Sequence, residues 1–92
     1  RHPEGVVYLE SGRTVRAERV LIAAGRVSNV EALDLGRVGI ATDESGLIKV
    51  DACFRTEVPN VYAVGDVVGF PALASTSMHQ GRIAVLHATG RP

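Results

Sequence analysis

The 92-residue chain has no tryptophan, a single cysteine and only two tyrosines and two phenylalanines. With Cys53 alone, an internal disulfide and a Cys-x-x-Cys redox or metal pair are both excluded. Cys53 reads as a small, half-buried strand residue, with a reactive thiol as the alternative. His2, His79 and His87 lack metal-ligand spacing: the last two lie about two helical turns apart with no third ligand nearby. Charge of one sign is missing too, since 10 Lys+Arg balance 10 Asp+Glu to a net charge of zero. No basic face is available to neutralise phosphates and there is little for bases to stack on, so no nucleic-acid partner is expected. No apolar run approaches the roughly 18–20 residues of a membrane span, and no basic-then-apolar leader opens the chain. A cytoplasmic protein without membrane attachment is expected.

What is present is 46% hydrophobic and patterned as an α/β chain. Val6-Val7-Tyr8-Leu9, the punctuation Glu10-Ser11-Gly12-Arg13 and Thr14-Val15-Arg16-Ala17 predict a β-hairpin. An apolar strand over residues 20–24 follows directly and ends at Gly25-Arg26. Residues 30–35 predict a turn of helix, limited by Gly36 and Gly39. Ile40-Ala41-Thr42, the turn Asp43-Glu44-Ser45-Gly46 and Leu47-Ile48-Lys49-Val50 predict a second hairpin. The longest element is a helix over residues 72–89, ended by Gly90 and Pro92. On that helix Ala74, Met78, Gly81, Val85 and Ala88 form a small or apolar stripe that lets it lie close to a sheet. Gly81 costs about 1 kcal/mol relative to Ala in a helix interior, which points to close approach of backbone or cofactor, or to plain packing.

The most specific segment is Thr56-Glu57-Val58-Pro59-Asn60-Val61-Tyr62-Ala63-Val64-Gly65-Asp66. Pro59-Asn60 is a turn signal, and the apolar run over residues 61–64 reads as a strand buried on both faces, as in a parallel sheet. In open α/β sheets ligands sit beyond the carboxyl ends of the strands, where Gly65 and Asp66 fall. Gly65 lets a ligand come close, and Asp66 offers an acceptor for hydroxyl groups. The bland alternative is that Asp66 only caps the next turn.

This segment resembles the second flavin-binding motif of the pyridine nucleotide-disulfide oxidoreductase family. Two further stretches agree in order: Val20-Leu21-Ile22-Ala23-Ala24-Gly25-Arg26-Val27-Ser28-Asn29 is similar to the strand that closes the family's nicotinamide domain. Pro71-Ala72-Leu73-Ala74-Ser75 with Gln80-Gly81-Arg82 resembles the helix start that lies against the flavin. The resemblance implies an FAD and NAD(P) oxidoreductase in which Asp66 hydrogen-bonds the ribityl chain. It implies that Gly25 lets the nicotinamide cofactor pass close, that Arg26 reaches either cofactor, with a solvated surface charge as the alternative for Arg26, and that Gly65, Ala72, Leu73, Ala74 and Ser75 line the flavin. The amides near Leu73, Ala74 and Ser75 suit an electron-rich ring edge or a phosphate, with Ser75 as a mere helix cap as the alternative. Within the family, the stretch over residues 66–75 and His79-Gln80-Gly81-Arg82-Ile83-Ala84 are similar to the soluble pyridine nucleotide transhydrogenases. Dihydrolipoamide dehydrogenases more typically carry His in place of Ser75 and Glu in place of Gln80.

No G-x-G-x-x-G occurs in the chain, so both dinucleotide pyrophosphate fingerprints of such a flavoprotein lie outside it. The reading is therefore a fragment of a two-dinucleotide-domain α/β flavoprotein: residues 1–26 from the end of the NAD(P) domain and residues 27–92 from the end of the FAD domain. The expected activity is hydride transfer between NAD(P)H and a second nicotinamide nucleotide. A disulfide reductase resembling dihydrolipoamide dehydrogenase or mercuric reductase, and a non-catalytic α/β interaction module, stay open as alternatives. The parent is expected to be a homodimeric enzyme. The isolated chain is expected to be inactive, to re-pair its own strands or self-associate, and not to hold FAD tightly, because central strands without neighbours leave backbone groups and apolar faces exposed.

Overall fold

A computed structural model describes residues 4–91. Its first element is the predicted hairpin: β1 (Gly5–Tyr8) pairs antiparallel with β2 (Thr14–Ala17) in the register Gly5↔Ala17, Val7↔Val15 and Tyr8↔Thr14. The turn closes because Gly12 takes a φ of 85°, and its N–H reaches the Leu9 carbonyl at 2.9 Å. Residues 20–24 follow, but among the described residues they join no ladder, and Leu21 and Ile22 stand 90% and 82% exposed. The expected strand is thus apolar chain without a neighbour. Parallel strands take their partners from segments distant in sequence, and a hairpin beside it supplies none. Nor do residues 20–24 pair with residues 61–64 among the described residues.

The expected helical turn over residues 30–35 appears as two 3-10 turns, Glu31–Leu33 and Leu35–Val38. The second runs through Gly36 and stops only at Gly39, whose φ of 82° ends it. The second predicted hairpin is reduced to one bridge, Thr42↔Ile48. Its turn is tied by Asp43, whose Oδ1 accepts the Ser45 and Leu47 N–H groups at 2.8 and 3.0 Å. A third, unanticipated loop pairs Arg55 with Tyr62, and its tip is knotted by Thr56. The buried Thr56 Oγ1 donates to the Val61 carbonyl at 2.9 Å and accepts the Val58 N–H at 3.2 Å.

The helix α1 spans Ala74–Ala88, with Leu73 at its N-cap. Past Thr89 the chain turns on Gly90, at a φ of 68°, and the Arg91 N–H returns to the Leu86 carbonyl at 2.8 Å. Pro92, expected to help end the helix, lies outside the described residues, as do His2 and the other terminal residues before Glu4. The buried face is not the expected stripe: Met78 and Val85 are 76% and 62% exposed, whereas Gln80 and Ala84 are buried and Thr76, Ser77 and Ile83 half-buried beside them. Polar contacts turned the helix, with Gln80 and Ser77 facing the strand end at Gly65. A Cβ on Gly81 would meet nothing within 4 Å, so no described backbone approaches it.

The core is small. Ile40, Ile48 and Ala84 are its buried apolar members, 4–6% exposed. The radius of gyration is 19.4 Å, against about 12 Å for a compact domain of this length. Apolar faces at Leu21, Ile22, Leu33 and Leu73 remain open to solvent.

Candidate functional site

The site is built where residues 61–64 end. Thr56 fixes the start of this segment, and the Ala63 N–H donates to the Phe54 carbonyl at 3.0 Å, so its half-buried residues run inward toward Gly65. Gly65 has φ 87° and ψ −157°, a region open in practice only to glycine. That twist aims its N–H at the buried Gln80 Oε1, 2.7 Å away. It also leaves the next residue, Asp66, at the start of a 3-10 turn (Asp66–Val68) with its carboxylate pointing outward. The turn is anchored from the other side by the Ile48 N–H, which donates to the Val67 carbonyl at 2.9 Å.

Asp66 Oδ2 accepts from Arg26 Nη1 at 2.6 Å, across 40 positions of sequence. Oδ1 carries no hydrogen bond among the described residues. Both residues border an open groove of about 1080 Å³, whose walls include Ile40, Ile48, Val61 and Ala72. Ser28 lines the same groove, and its Oγ is buried without a hydrogen-bond partner. Beyond Gly69, the Phe70-Pro71 peptide is cis and the chain enters α1. Among the described residues no side chain caps the helix start at Leu73, and the first-turn N–H groups at Ala74 and Ser75 carry no hydrogen bond. Ser75 therefore does not serve as the N-cap.

Of the residues singled out from sequence, Arg26, Asp66 and Ala72 meet at the groove, with Gly65 directly behind Asp66. Leu73, Ala74 and Ser75 stand exposed at the helix start, outside the groove walls. Gly25, at a φ of 100° and with nothing within 4 Å of an added Cβ, precedes Arg26 but does not line the groove. Sequence reasoning missed Gln80 as the acceptor of the Gly65 amide, and the contact between Tyr62 Oη and His87 Nδ1 at 2.8 Å. The mark available for Gln80 was its polarity within a helix otherwise placed against a sheet. Among the described residues no three or more His, Cys, Asp or Glu side chains gather as a metal site, and no helix is long and apolar enough to cross a membrane.

A glycine-carboxylate pair at the end of an apolar segment, followed by a helix, is the arrangement that the sequence comparison places in a class of flavin- and nicotinamide-dependent oxidoreductases. The chain is a member of the pyridine nucleotide-disulphide oxidoreductase family, whose model matches residues 2–81. This is a family that uses a flavin and a nicotinamide nucleotide. The chain is 51% identical over 87 residues to a soluble pyridine nucleotide transhydrogenase of Mycobacterium bovis, covering 95% of the chain and 19% of that protein. It is 46% identical over 79 residues to the protein of that name in Citrobacter koseri, covering 86% of the chain and 17% of the relative. It also superposes on the crystal structure of LpdA from Mycobacterium tuberculosis with a TM-score of 0.84 at 40% identity, over 95% of this chain and 19% of that one. The chain thus spans about a fifth of the length of the relatives it matches.

Proposed function

We propose that the chain is the part of an FAD-dependent oxidoreductase that holds the sugar-alcohol arm and one edge of the flavin. The intact protein moves hydride between NAD(P)H and a second nicotinamide nucleotide, in keeping with relatives named soluble pyridine nucleotide transhydrogenase. Residues 1–26 close the nicotinamide domain and residues 27–92 close the FAD domain. The observation that carries the reading is the outward Asp66 carboxylate, with one oxygen unbonded, on a glycine whose backbone no other residue adopts.

The residues present fit such a group. Asp66 Oδ1 would accept a hydrogen bond from a hydroxyl group. Gly65 serves through its twist, since a Cβ there would meet Ser77 of the helix, and its own amide is already satisfied by Gln80. Ala72, Leu73, Ala74 and Ser75 offer free amides and small side chains at the positive end of α1 to an electron-rich ring edge. Gly25 keeps the end of the preceding segment open for the nicotinamide nucleotide. The flavin, when bound, supplies the hydride chemistry, and the protein contributes binding and orientation. No thiol of this chain takes part: Cys53 lies half-buried and does not border the groove.

The test is made on the intact protein. It should purify yellow with one FAD per chain, and should reduce a thio-analogue of one nicotinamide nucleotide at the expense of the other. Asp66→Ala should lower FAD content while leaving helical circular dichroism unchanged. A colourless intact protein that gains no flavin on reconstitution defeats the proposal.

A further inference from the structure

Four ion pairs occur among the described residues, and three are local. Arg37 with Asp34 and Arg55 with Asp51 lie within one turn, and Arg16 with Glu4 lies across the hairpin. The fourth, Arg26 with Asp66, joins segments 40 positions apart at 2.6 Å, the shortest of the set. Its side chains are 75% and 47% exposed. A pair that open to water adds little to stability, so holding the fold together is a poor account of it. Its geometric effect is definite. One carboxylate oxygen is held by the guanidinium, which restricts the swing of the Asp66 side chain, and the other, on a residue that borders the groove, carries no hydrogen bond among the described residues.

We infer that Arg26 is a positioning residue for Asp66 and a ligand of neither dinucleotide: it holds Oδ2 and so presents Oδ1 to a hydroxyl of the bound sugar-alcohol chain. The inference rests on Asp66 being the hydroxyl acceptor proposed above. It replaces the expectation that Arg26 itself reaches a cofactor. The contact uses a single guanidinium nitrogen, so the planar fork that distinguishes arginine from lysine is not engaged.

The experiment is a double-mutant cycle on the intact protein, read as the dissociation constant of FAD from reconstituted apoprotein by flavin fluorescence. Arg26→Met is expected to weaken FAD by about 3–5-fold, the range of an exposed charge-assisted pair. Arg26→Lys is expected to stay within about 2-fold of wild type, since one donor is enough. In an Asp66→Ala background, Arg26→Met is expected to change nothing. Where Asp66→Ala binds too weakly to titrate, Asp66→Ser, too short to reach Arg26, takes its place. An equal loss from Arg26→Met in both backgrounds overturns the inference, because Arg26 then touches the cofactor itself. So does an Arg26→Met protein with wild-type affinity. An Asp66→Ala protein with undiminished affinity instead overturns the hydroxyl-acceptor reading, and this inference with it.

Discussion

Gly65→Ala and Gly81→Ala make the same chemical change on one chain and should move stability in opposite directions. At Gly65, φ 87° and ψ −157° lie in a region that costs a non-glycine residue about 1–3 kcal/mol. The new methyl would sit 3.2 Å from Ser77 Oγ and 3.6 Å from Ser77 Cβ. The hydroxyl can rotate away at the cost of its 3.2 Å bond to the Leu73 carbonyl, so crowding is the smaller part. The backbone cannot escape by flipping to negative φ without cost. Its N–H would then leave the buried Gln80 Oε1, and an unpaired buried group costs about 1–3 kcal/mol as well. At Gly81, by contrast, φ is helical and an added Cβ meets nothing within 4 Å. Alanine there should stabilise by about 0.5–1 kcal/mol through the unfolded chain and helix propensity. Urea unfolding of the intact protein followed by circular dichroism reads both: the midpoint should fall for Gly65→Ala and rise for Gly81→Ala, with unchanged slope. A Gly65→Ala protein as stable as wild type would refute the backbone argument. A Gly81→Ala protein that is destabilised would show that something packs on that face in the intact molecule.

Gln80→Leu should destabilise by about 1–3 kcal/mol, because it strands the buried Gly65 N–H. Gln80→Glu should be far milder, because an oxygen acceptor stays in place; equal losses for the two in the same urea assay would show that the hydrogen bond is not what Gln80 contributes. Asp51 should titrate below the ordinary carboxylate range, since the Arg55 N–H first and the Cys53 N–H next donate to its Oδ1, with the Arg55 charge adding to them. A carboxyl whose folded pKa is depressed contributes stability above its unfolded value, near pH 4, and loses it as pH falls through the lower folded value. The amide resonances of Cys53 and Arg55 should report that step in the acid range, and Asp51→Asn should abolish it; a midpoint at or above the ordinary value would count against the two N–H contacts.

Local chemistry made part of the fold legible. The hairpin of β1 and β2 follows from alternating strand formers around Ser11-Gly12, and its register needs nothing beyond itself. The end of the 3-10 turn at Gly39 and the helix end at Gly90 follow in the same way from glycines that reach positive φ, whereas the turn at Glu31 ends on Asp34 at a φ of 50°. Residues 20–24 and 61–64 were legible as apolar and buried-strand-like, but a strand is completed by hydrogen bonds to another segment, and neither sequence run carries information about its neighbour. The first therefore stands in solvent at Leu21 and Ile22, and the second keeps a single bridge through Tyr62.

The site shows the same division more sharply. The backbone at Gly65 was readable because it depends on residue type: only glycine takes that conformation readily, and it leaves the short Asp66 side chain exposed at the end of the apolar segment. The facing side of α1 was misread because hydrophobic periodicity scores Ala74, Met78 and Val85 above a glutamine, whereas the helix is oriented by a polar demand. Once the twist at Gly65 turns its N–H away from any ladder, that donor must be met from the helix, and Gln80 is the residue that meets it at 2.7 Å. The same twist carries Asp66 out to Arg26. One unusual backbone conformation thus sets both the buried hydrogen bond that seats the helix and the exposed ion pair that aims the carboxylate. A change at Gly65 should accordingly disturb stability and cofactor affinity together, whereas changes at Gln80 and Arg26 should separate them.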